Sequence, residues 1–306
     1  MFPARFRPQR LVQSLLWLGL TLVLSLSLAH FTAWAQSAPV VVAAGDIACS
    51  PDSPFFNGAR GKNDNCQMAA TAELVVAAKP QTVLALGDNQ YEKGELEGYQ
   101  RSYDPTWGRF KARTKPVPGN HEYYSADAKG YYDYFGSLAG DRRRGYYSFN
   151  LGAWHLIALN SNCEAVGGCG VGSPQEKWLQ ADLKANKRQC TLAYWHHPRY
   201  SSGIHGNNQS LEAFWQDLQQ AKAELVLSGH DHDYERFAPQ QGLRQFVVGT
   251  GGKNLYPFKK IQPHSEAHSD EDYGVLKLVL KPASYEWQYL ATATGQFRDQ
   301  GQSSCQ

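Results

Sequence analysis

Several patterns are absent from this sequence, and each absence removes a class of function. The six cysteines show no C-x-x-C spacing, which argues against a structural zinc site built from thiolates. The only dense basic cluster is Arg142-Arg143-Arg144 and the formal net charge is +2, so the chain offers no broad basic field for nucleic acid. No serine or cysteine nucleophile pattern, internal repeat or linker occurs either. We therefore expect one folded domain with no specific nucleic-acid partner.

The first 35 residues have the composition of a signal peptide. Three arginines precede a stretch without charge at 11–28, and Ala33-Trp34-Ala35 supplies the small-x-small pattern that signal peptidase requires. The uncharged stretch approaches bilayer length, so an uncleaved membrane anchor is the alternative. The turn to polar sequence directly afterwards favours cleavage. We predict a signal peptide over 1–35 and a single domain over 36–306, in a secreted or periplasmic protein without a stable membrane span.

The cysteines predict disulfide bonds rather than free thiols. Their number is even, and disulfides persist in the oxidising compartments that exported proteins reach. Proximity along the chain suggests the pairs Cys49–Cys66, Cys163–Cys169 and Cys190–Cys305. Six cysteines allow many connectivities, so the sequence leaves the pairing open.

Short apolar runs alternate with longer helical patterns, and the last part of the chain changes to strands alone. Strands are predicted at 39–44, 82–86, 145–151, 154–159, 191–195, 225–227, 244–248, 275–280 and 285–290. Helices are predicted at 67–79, 174–186 and 209–222. This order predicts an α/β fold, a layered β-sandwich of mixed sheets flanked by helices.

Polar residues follow the predicted strands at the points where those strands end. They are Gly45-Asp46, Gly87-Asp88, His196 and Gly229-His230. Gly119-Asn120 follows the short run Pro116-Val117-Pro118, where the sequence leaves a strand open. Because strand ends of this kind meet at one edge of an α/β sheet, we expect these side chains to line one crevice.

The residues in this predicted crevice are metal ligands of the oxygen and imidazole type. His230 and His232 are two positions apart, which places both side chains on one side of an extended segment. A set without thiolate suits iron, manganese or zinc in a functional site. Two neighbouring cations require a bridging carboxylate, and phosphoryl transfer is a chemistry that uses such a pair.

The order of these motifs, GD, GDNQY, GNHE, HHP and GHDH, resembles the calcineurin-like metallophosphoesterases and, among them, the purple acid phosphatases. Most metallophosphoesterases carry Asp-x-His in the first motif, whereas this sequence has Asp46-Ile47-Ala48. Purple acid phosphatases also lack that histidine, and they place a tyrosine three residues after the aspartate of the second motif. Tyr91 stands at that position. The resemblance implies a metallophosphoesterase catalytic domain over 36–306.

The resemblance also implies a ligand set for two metal ions. Metal one would be bound by Asp46, Asp88, Tyr91 and His232. Metal two would be bound by Asp88, Asn120, His196 and His230, with Asp88 as the bridge. In this family a phenolate ligand accompanies Fe(III) at site one, and Fe(II), Zn(II) or Mn(II) would occupy site two.

Three further histidines receive separate predictions. His121 resembles the family's phosphate-contacting histidine, and His205 lies where similar enzymes place a second substrate histidine. Both are predicted to act in catalysis. His197 is interpreted as a residue of the pocket or of the layer behind the ligands, rather than as a ligand itself, since the ligand of the H-x-P pattern is its first histidine.

The implied activity is that of a secreted phosphatase, which hydrolyses small phosphate monoesters by attack of a hydroxide held by the two metals. A phosphodiesterase acting on cyclic nucleotides, nucleic acid or lipid headgroups is the nearest alternative, because it uses the same metal core. A non-catalytic metal-binding protein at the cell surface is a second alternative. Tyr200 and a loop predicted over residues 251–268 are candidates for the pocket wall that decides the substrate.

Overall fold

The computed structural model describes residues 1–4 and 38–306. The predicted signal peptide lies outside the described residues, apart from its first four positions. Among the helices that are described, none has the length and apolar character needed to cross a membrane.

Residues 38–306 form two mixed β-sheets. The strands are β1 Val40–Ala44, β2 Thr82–Leu86, β3 Thr114–Val117, β4 Tyr147–Leu151, β5 Trp154–Ala158, β6 Cys190–Tyr194, β7 Leu225–Ser228, β8 Tyr234–Phe237, β9 Arg244–Val248, β10 Ser265–Ser269, β11 Gly274–Lys281, β12 Ser284–Ala291 and β13 Gln300–Ser304. Within the described residues, sheet one has the order β13-β12-β11-β1-β2-β3 and sheet two the order β10-β8-β9-β7-β6-β5-β4. In sheet one β1, β2 and β3 are parallel neighbours. In sheet two β5, β6, β7 and β9 are parallel neighbours.

The helices lie between and beside these strands. The α-helices are α1 Met68–Ala78, α2 Leu96–Gly98, α3 Lys129–Phe135, α4 Pro174–Ala185 and α5 Glu212–Gln220. A π-helical turn, Tyr99–Tyr103, directly continues α2. Short 3-10 helices cover Asn57–Ala59, Trp107–Arg113, Glu122–Tyr124, Ala126–Ala128, Gly136–Ala139, Cys163–Val166 and Gln209–Leu211. Ser173 is the N-cap of α4, and its side chain fixes the start of the helix by accepting a hydrogen bond from the Glu176 N–H at 3.2 Å.

Both faces of sheet two are buried, and consecutive residues of β6 show how. Leu192 and Tyr194 belong to the core that also contains Val41, Leu84 and Leu278 of sheet one. Ala193, between them, faces a second core that contains residues of α4 and α5. The two sheets therefore pack against each other and helices cover the outer face of sheet two, which confirms the predicted layered sandwich.

The predicted strands and helices are present, with boundary shifts of one or two residues at most of their ends. The helix predicted from residue 209 begins with the 3-10 turn Gln209–Leu211 before α5. Sequence patterns did not predict β8, β10 and β13, and they left a strand open at 116–118, where β3 lies. They also missed the short helices at 57–59, between 96 and 139, and at 163–166. The strands β10 (SEAHS) and β13 (QGQSS) lie at sheet edges and expose much of their polar sequence, so they carry no apolar alternation. Residues 265–268 are therefore part of β10, whereas the sequence predicted a loop over 251–268.

Three disulfides link the pairs that proximity suggested. They are Cys49–Cys66, Cys163–Cys169 and Cys190–Cys305. The last one joins the start of β6 to the residue after β13, and so ties the end of the chain to sheet two. The pairing confirms the expectation of a disulfide-bonded protein.

Candidate metal centre

The predicted site residues follow the ends of strands from both sheets. Asp46 and Asp88 lie two residues past β1 and β2, and Asn120 lies three residues past β3. His196 and His230 each lie two residues past a strand of sheet two, β6 and β7. Parallel neighbours end at the same edge, so both sheets contribute to one crevice, as the sequence predicts.

The backbone at this edge adopts unusual conformations. Asp46, Asp88 and His230 have positive φ angles of 59°, 45° and 73°. Non-glycine residues rarely occupy this region, and their concentration here is typical of a functional site. Two glycines allow site residues to lie close to the backbone of neighbouring segments. A Cβ on Gly87 would lie 2.6 Å from His196 Nδ1, and one on Gly119 would lie 2.1 Å from Asp88 Oδ1.

One group of donor atoms converges on the Tyr91 phenol oxygen. This oxygen lies 2.8 Å from Asp46 Oδ1, 3.1 Å from Asp88 Oδ2 and 2.9 Å from His232 Nε2. Asp46 Oδ1 is in turn 3.3 Å from His232 Nε2. These four side chains are almost fully buried.

A second group gathers around His196. Its Nε2 lies 3.2 Å from Asp88 Oδ2 and 3.2 Å from Asn120 Oδ1. The ring of His230 is 5.0 Å from that of His196, measured between centroids. His196 Nδ1 faces the Leu86 carbonyl oxygen at 2.9 Å, which leaves Nε2 directed at the other donors.

The same atom, Asp88 Oδ2, belongs to both groups. Ligands about 2.1 Å from a metal at right angles to each other are about 3.0 Å apart, which is close to the separations observed here. The chemistry of the donors, carboxylate, phenol, amide and imidazole, suits iron, zinc or manganese. The residues present therefore fit two cations that share one carboxylate oxygen. Their role as ligands stays a prediction.

Asp88 and His196 each stabilise the charged form of the other. Burial disfavours the ionised carboxylate, but the positive charge of His196 outweighs this and holds the pKa of Asp88 well below its usual range. Burial also disfavours a charged imidazole, yet Asp88 raises the pKa of His196 to about 9. For Tyr91, burial and then the carboxylates of Asp46 and Asp88 raise the pKa well above its usual value. A cation held by these side chains would take the place of the protons on His196 and Tyr91.

Both histidines predicted to act on the substrate lie beside the two groups. The His121 ring is 4.3 Å from the Tyr91 ring, and its Nδ1 faces the Glu92 carbonyl oxygen at 2.6 Å. The His205 ring is 4.2 Å from that of His230 and is exposed to solvent. The structure thus brings together every predicted site residue.

Sequence reasoning missed Glu122, which organises the site from behind. Its fully buried carboxylate accepts hydrogen bonds from the backbone N–H groups of Asp88, Asn89 and Gly119 at 2.9, 2.9 and 2.6 Å. Burial, and then the charge of Asp88, raise the pKa of Glu122 to about 7. Its signal in the sequence is an acidic residue two positions after Asn120, inside the GNHE motif.

Residues 251–268, a predicted part of the pocket wall, contact the donor group around the Tyr91 oxygen. The Tyr256 ring stacks on His232 at 4.0 Å, and Lys253 Nζ lies 4.7 Å from the centre of the Tyr91 ring. Tyr200, the other candidate, packs instead against Trp215 with ring centroids 5.1 Å apart.

Comparison with known proteins agrees with this geometry. Residues 39–234 match the family model of calcineurin-like phosphoesterases. Because the match covers more than half of the chain, the protein belongs to the calcineurin-like phosphoesterase family.

Purple acid phosphatases occur among its relatives. Probable purple acid phosphatase 20 of Arabidopsis thaliana is 30% identical over 235 residues, which are 64% of this chain and 53% of that protein. The chain spans about half the length of the curated relatives it matches.

Solved structures with the same fold include two phosphatases. The purple acid phosphatase PPD1 from yellow lupin (Lupinus luteus) superposes with a TM-score of 0.68 at 20% identity, over 88% of this chain and 54% of its own. A dimetal phosphatase from Danio rerio gives 0.61 at 15% identity, over 89% of this chain and 100% of its own. At these identities the likeness establishes the fold alone.

Proposed function

We propose that this protein is a metal-dependent phosphatase that hydrolyses small phosphate monoesters at a two-cation centre. The observation that carries the proposal is the position of Asp88 Oδ2, which lies 3.1 Å from Tyr91 Oη and 3.2 Å from His196 Nε2. A carboxylate oxygen between two groups of donors is what a bridged pair of cations requires. Membership of the phosphoesterase family and similarity to purple acid phosphatases support the same activity.

The ligand assignment is part of this proposal. Asp46, Tyr91, His232 and Asp88 would hold the first cation, and Asp88, Asn120, His196 and His230 the second. The phenol oxygen of Tyr91 favours Fe(III) in the first site, because a phenolate is a hard anionic ligand. The amide and imidazole donors of the second site suit Fe(II), Zn(II) or Mn(II).

When bound, the two cations lower the pKa of a water molecule and hold the phosphoryl oxygens. The protein's own groups position the ligands and complete the charge balance. His196 and His232 are oriented by hydrogen bonds from Nδ1 to the Leu86 and Asn254 carbonyl oxygens at 2.9 and 2.5 Å. With Nδ1 protonated in this way, Nε2 of each ring presents its lone pair to the centre.

His121 and His205 are proposed to act on the substrate. His121 Nδ1 faces the Glu92 carbonyl oxygen, so Nδ1 is its protonated donor in the neutral ring, and its backbone N–H donates to Asp88 Oδ1 at 2.9 Å. This backbone contact ties the ring's position to the shared carboxylate. His205 is exposed at the solvent side of the crevice, where it can protonate the departing alcohol oxygen.

The cellular setting belongs to the proposal as well. We infer that residues 1–35 direct export and are removed, and that 36–306 form the catalytic domain of a secreted or periplasmic enzyme. The three disulfides support an oxidising compartment.

The test is hydrolysis of matched aryl phosphates by the purified, metal-loaded protein. We expect turnover of p-nitrophenyl phosphate to exceed that of bis(p-nitrophenyl) phosphate, and Asp88→Ala to abolish it. Asp52→Ala, which changes an exposed aspartate, is the control and should retain full activity. Faster turnover of the diester would instead support a phosphodiesterase. No turnover of either ester would support a non-catalytic protein.

A further inference from the structure

His197 lies in the crevice but belongs to neither proposed ligand group. Its ring is 4.9 Å from that of His196 and 4.4 Å from that of His230. One ring nitrogen of each of these three histidines lies within 4.8 Å of the others. The side chain is only half-buried, so its ring faces the crevice rather than the core.

Ser161 holds one side of the His197 ring. Its Oγ accepts a hydrogen bond from the His197 backbone N–H at 3.0 Å and lies 2.8 Å from His197 Nδ1. Ser161 is only 4% exposed. Among the described residues its hydroxyl has hydrogen-bond partners on His197 alone.

These contacts favour one ring nitrogen of His197 as the carrier of the hydrogen. The Ser161 Oγ already accepts the backbone N–H, and its own hydrogen has one acceptor within reach, His197 Nδ1. A hydroxyl that donates to Nδ1 uses the only lone pair of the neutral imidazole and leaves the hydrogen on Nε2. In this tautomer His197 has no free lone pair for a cation, so it is a donor rather than a ligand.

The segment that carries Ser161 is held on several sides. Asn160 N–H donates to Gln175 Oε1 at 2.7 Å, and Asn160 Nδ2 donates to the Tyr123 hydroxyl at 2.8 Å. Asn162 Nδ2 donates to the Pro118 carbonyl oxygen at 3.2 Å. The Cys163–Cys169 disulfide follows directly. A hydroxyl on such a segment can fix the orientation of a neighbouring ring.

We propose that Ser161 holds His197 in the Nε2–H tautomer, and that His197 donates a hydrogen bond from Nε2 to an oxygen of the bound phosphoryl group. The inference rests on the proposed phosphatase function and adds a substrate-binding histidine to it. His197 is the residue that contacts the substrate, and Ser161 is a positioning residue that acts through it. No proton is transferred in this role.

The first measurement reads the tautomer directly by nitrogen NMR of the metal-free, histidine-labelled protein. We expect the His197 resonances to show an unprotonated Nδ1 and a protonated Nε2. In Ser161→Ala a substantial fraction should shift to the other tautomer, and Ser161→Thr, which keeps the hydroxyl, should restore the original pattern. A wild-type His197 with its hydrogen on Nδ1 would overturn the proposal.

The second measurement is the affinity of the zinc-loaded protein for inorganic phosphate by titration calorimetry, together with the metal content. His197→Ala should weaken phosphate binding about 10-fold or more, the usual effect of losing one hydrogen bond to a charged group, and should retain both metals. Lys187→Ala, which changes an exposed lysine just before β6, at the opposite end of that strand from His196, is the control and should bind phosphate like the wild type.

Two outcomes of this second measurement would overturn the proposal. Loss of a metal in His197→Ala would make His197 a ligand, and unchanged phosphate affinity would remove its contact with the substrate. Because neither NMR nor phosphate binding requires turnover, the outcome is separable from the proposed function. A protein with the expected tautomer and phosphate affinity but without turnover would contradict the phosphatase assignment and support the role of His197.

Discussion

At the scale of single residues, the centre depends on side chains that each make several contacts. Asp88 is the clearest case, since Oδ2 serves both donor groups while Oδ1 accepts the His121 backbone N–H. Tyr91 is the second, since its hydroxyl touches Asp46, Asp88 and His232. Removing either one should disturb the whole centre rather than one contact.

The prediction at this scale concerns Tyr91. If its phenol oxygen binds Fe(III), the purified iron-loaded protein should absorb visible light through tyrosinate-to-iron charge transfer. Tyr91→Phe should lose this band while keeping the far-ultraviolet circular dichroism of the wild type, because the ring still fills its buried position. The measurement is a visible absorption spectrum of both proteins.

Tyr256→Phe is the matched control, since this ring stacks on His232 while its hydroxyl is not one of the proposed ligands. It should keep the band. A colourless iron-loaded wild type, or a band that persists in Tyr91→Phe, would rule out Tyr91 as the iron ligand.

The site residues that sequence can predict are those whose side chains are themselves the metal-binding groups of a motif. Asp46, Asp88, Asn120 and the histidines stand in recognisable motifs at strand ends, so sequence alone placed them together. Glu122 and Ser161 were missed because they act on backbone N–H groups and on the tautomer of another residue. Such contacts depend on the folded arrangement and leave no spacing pattern in the chain.

At the scale of elements, the C-terminal strands connect the two sheets through Asp299, the residue before β13. Its carboxylate accepts hydrogen bonds from Tyr234 and Arg236 of β8 at 2.6 and 2.8 Å, and from Trp287 of β12 at 3.2 Å. Burial alone would raise the pKa of Asp299, but the hydrogen bonds from Arg236 and Tyr234 outweigh it and lower this pKa below its usual value. An ionised side chain thus contributes to holding an edge strand of polar sequence.

We predict that Asp299→Asn lowers the free energy of unfolding by about 1.5–3 kcal/mol at neutral pH, the range for hydrogen bonds to a charged group. Because the folded-state pKa is depressed, this stabilisation is present above the unfolded pKa of about 3.9 and is lost as pH falls through the folded value. The difference between the two proteins should therefore shrink in acid. Urea denaturation at several pH values measures it.

Asp141→Asn is the comparison, since this aspartate pairs with Arg143 at the surface, where ion pairs contribute little. It should leave stability unchanged. A difference between Asp299→Asn and the wild type that stays constant down to pH 2 would show that the charge of Asp299 is not what holds the strands.

The edge strand β13, which the sequence did not predict, is stabilised by contacts with other parts of the chain. β2 and β9 are buried along their whole length and contain runs of three or more apolar residues, and their predicted bounds match the structure. β13 exposes alternate residues and is held by its ladder with β12, by Asp299 and by Cys305. Neither a partner strand nor a disulfide is visible in a local window of sequence.

At the scale of the whole molecule, the disulfides close loops of very different length. Cys190–Cys305 spans 115 residues and Cys163–Cys169 spans 6. A cross-link restricts the unfolded chain more when the loop it closes is longer. The long link also joins the two sheets, since it connects β6 to the end of β13.

We predict that replacing Cys190 and Cys305 by alanine lowers the free energy of unfolding by about 2–5 kcal/mol. The double replacement of Cys163 and Cys169 is the matched control and should cost less. Thermal unfolding of the three proteins measures both effects. An equal or reversed order would contradict the account of how the chain end is secured.

The most direct test of the two-cation centre is the number of metal ions bound per chain, measured by elemental analysis of purified, dialysed protein. We predict two ions per chain for the wild type and for Asp52→Ala. Asp88→Ala should hold at most one, because it lacks the oxygen that both donor groups share. A single ion in the wild type, or two ions retained in Asp88→Ala, would contradict the account.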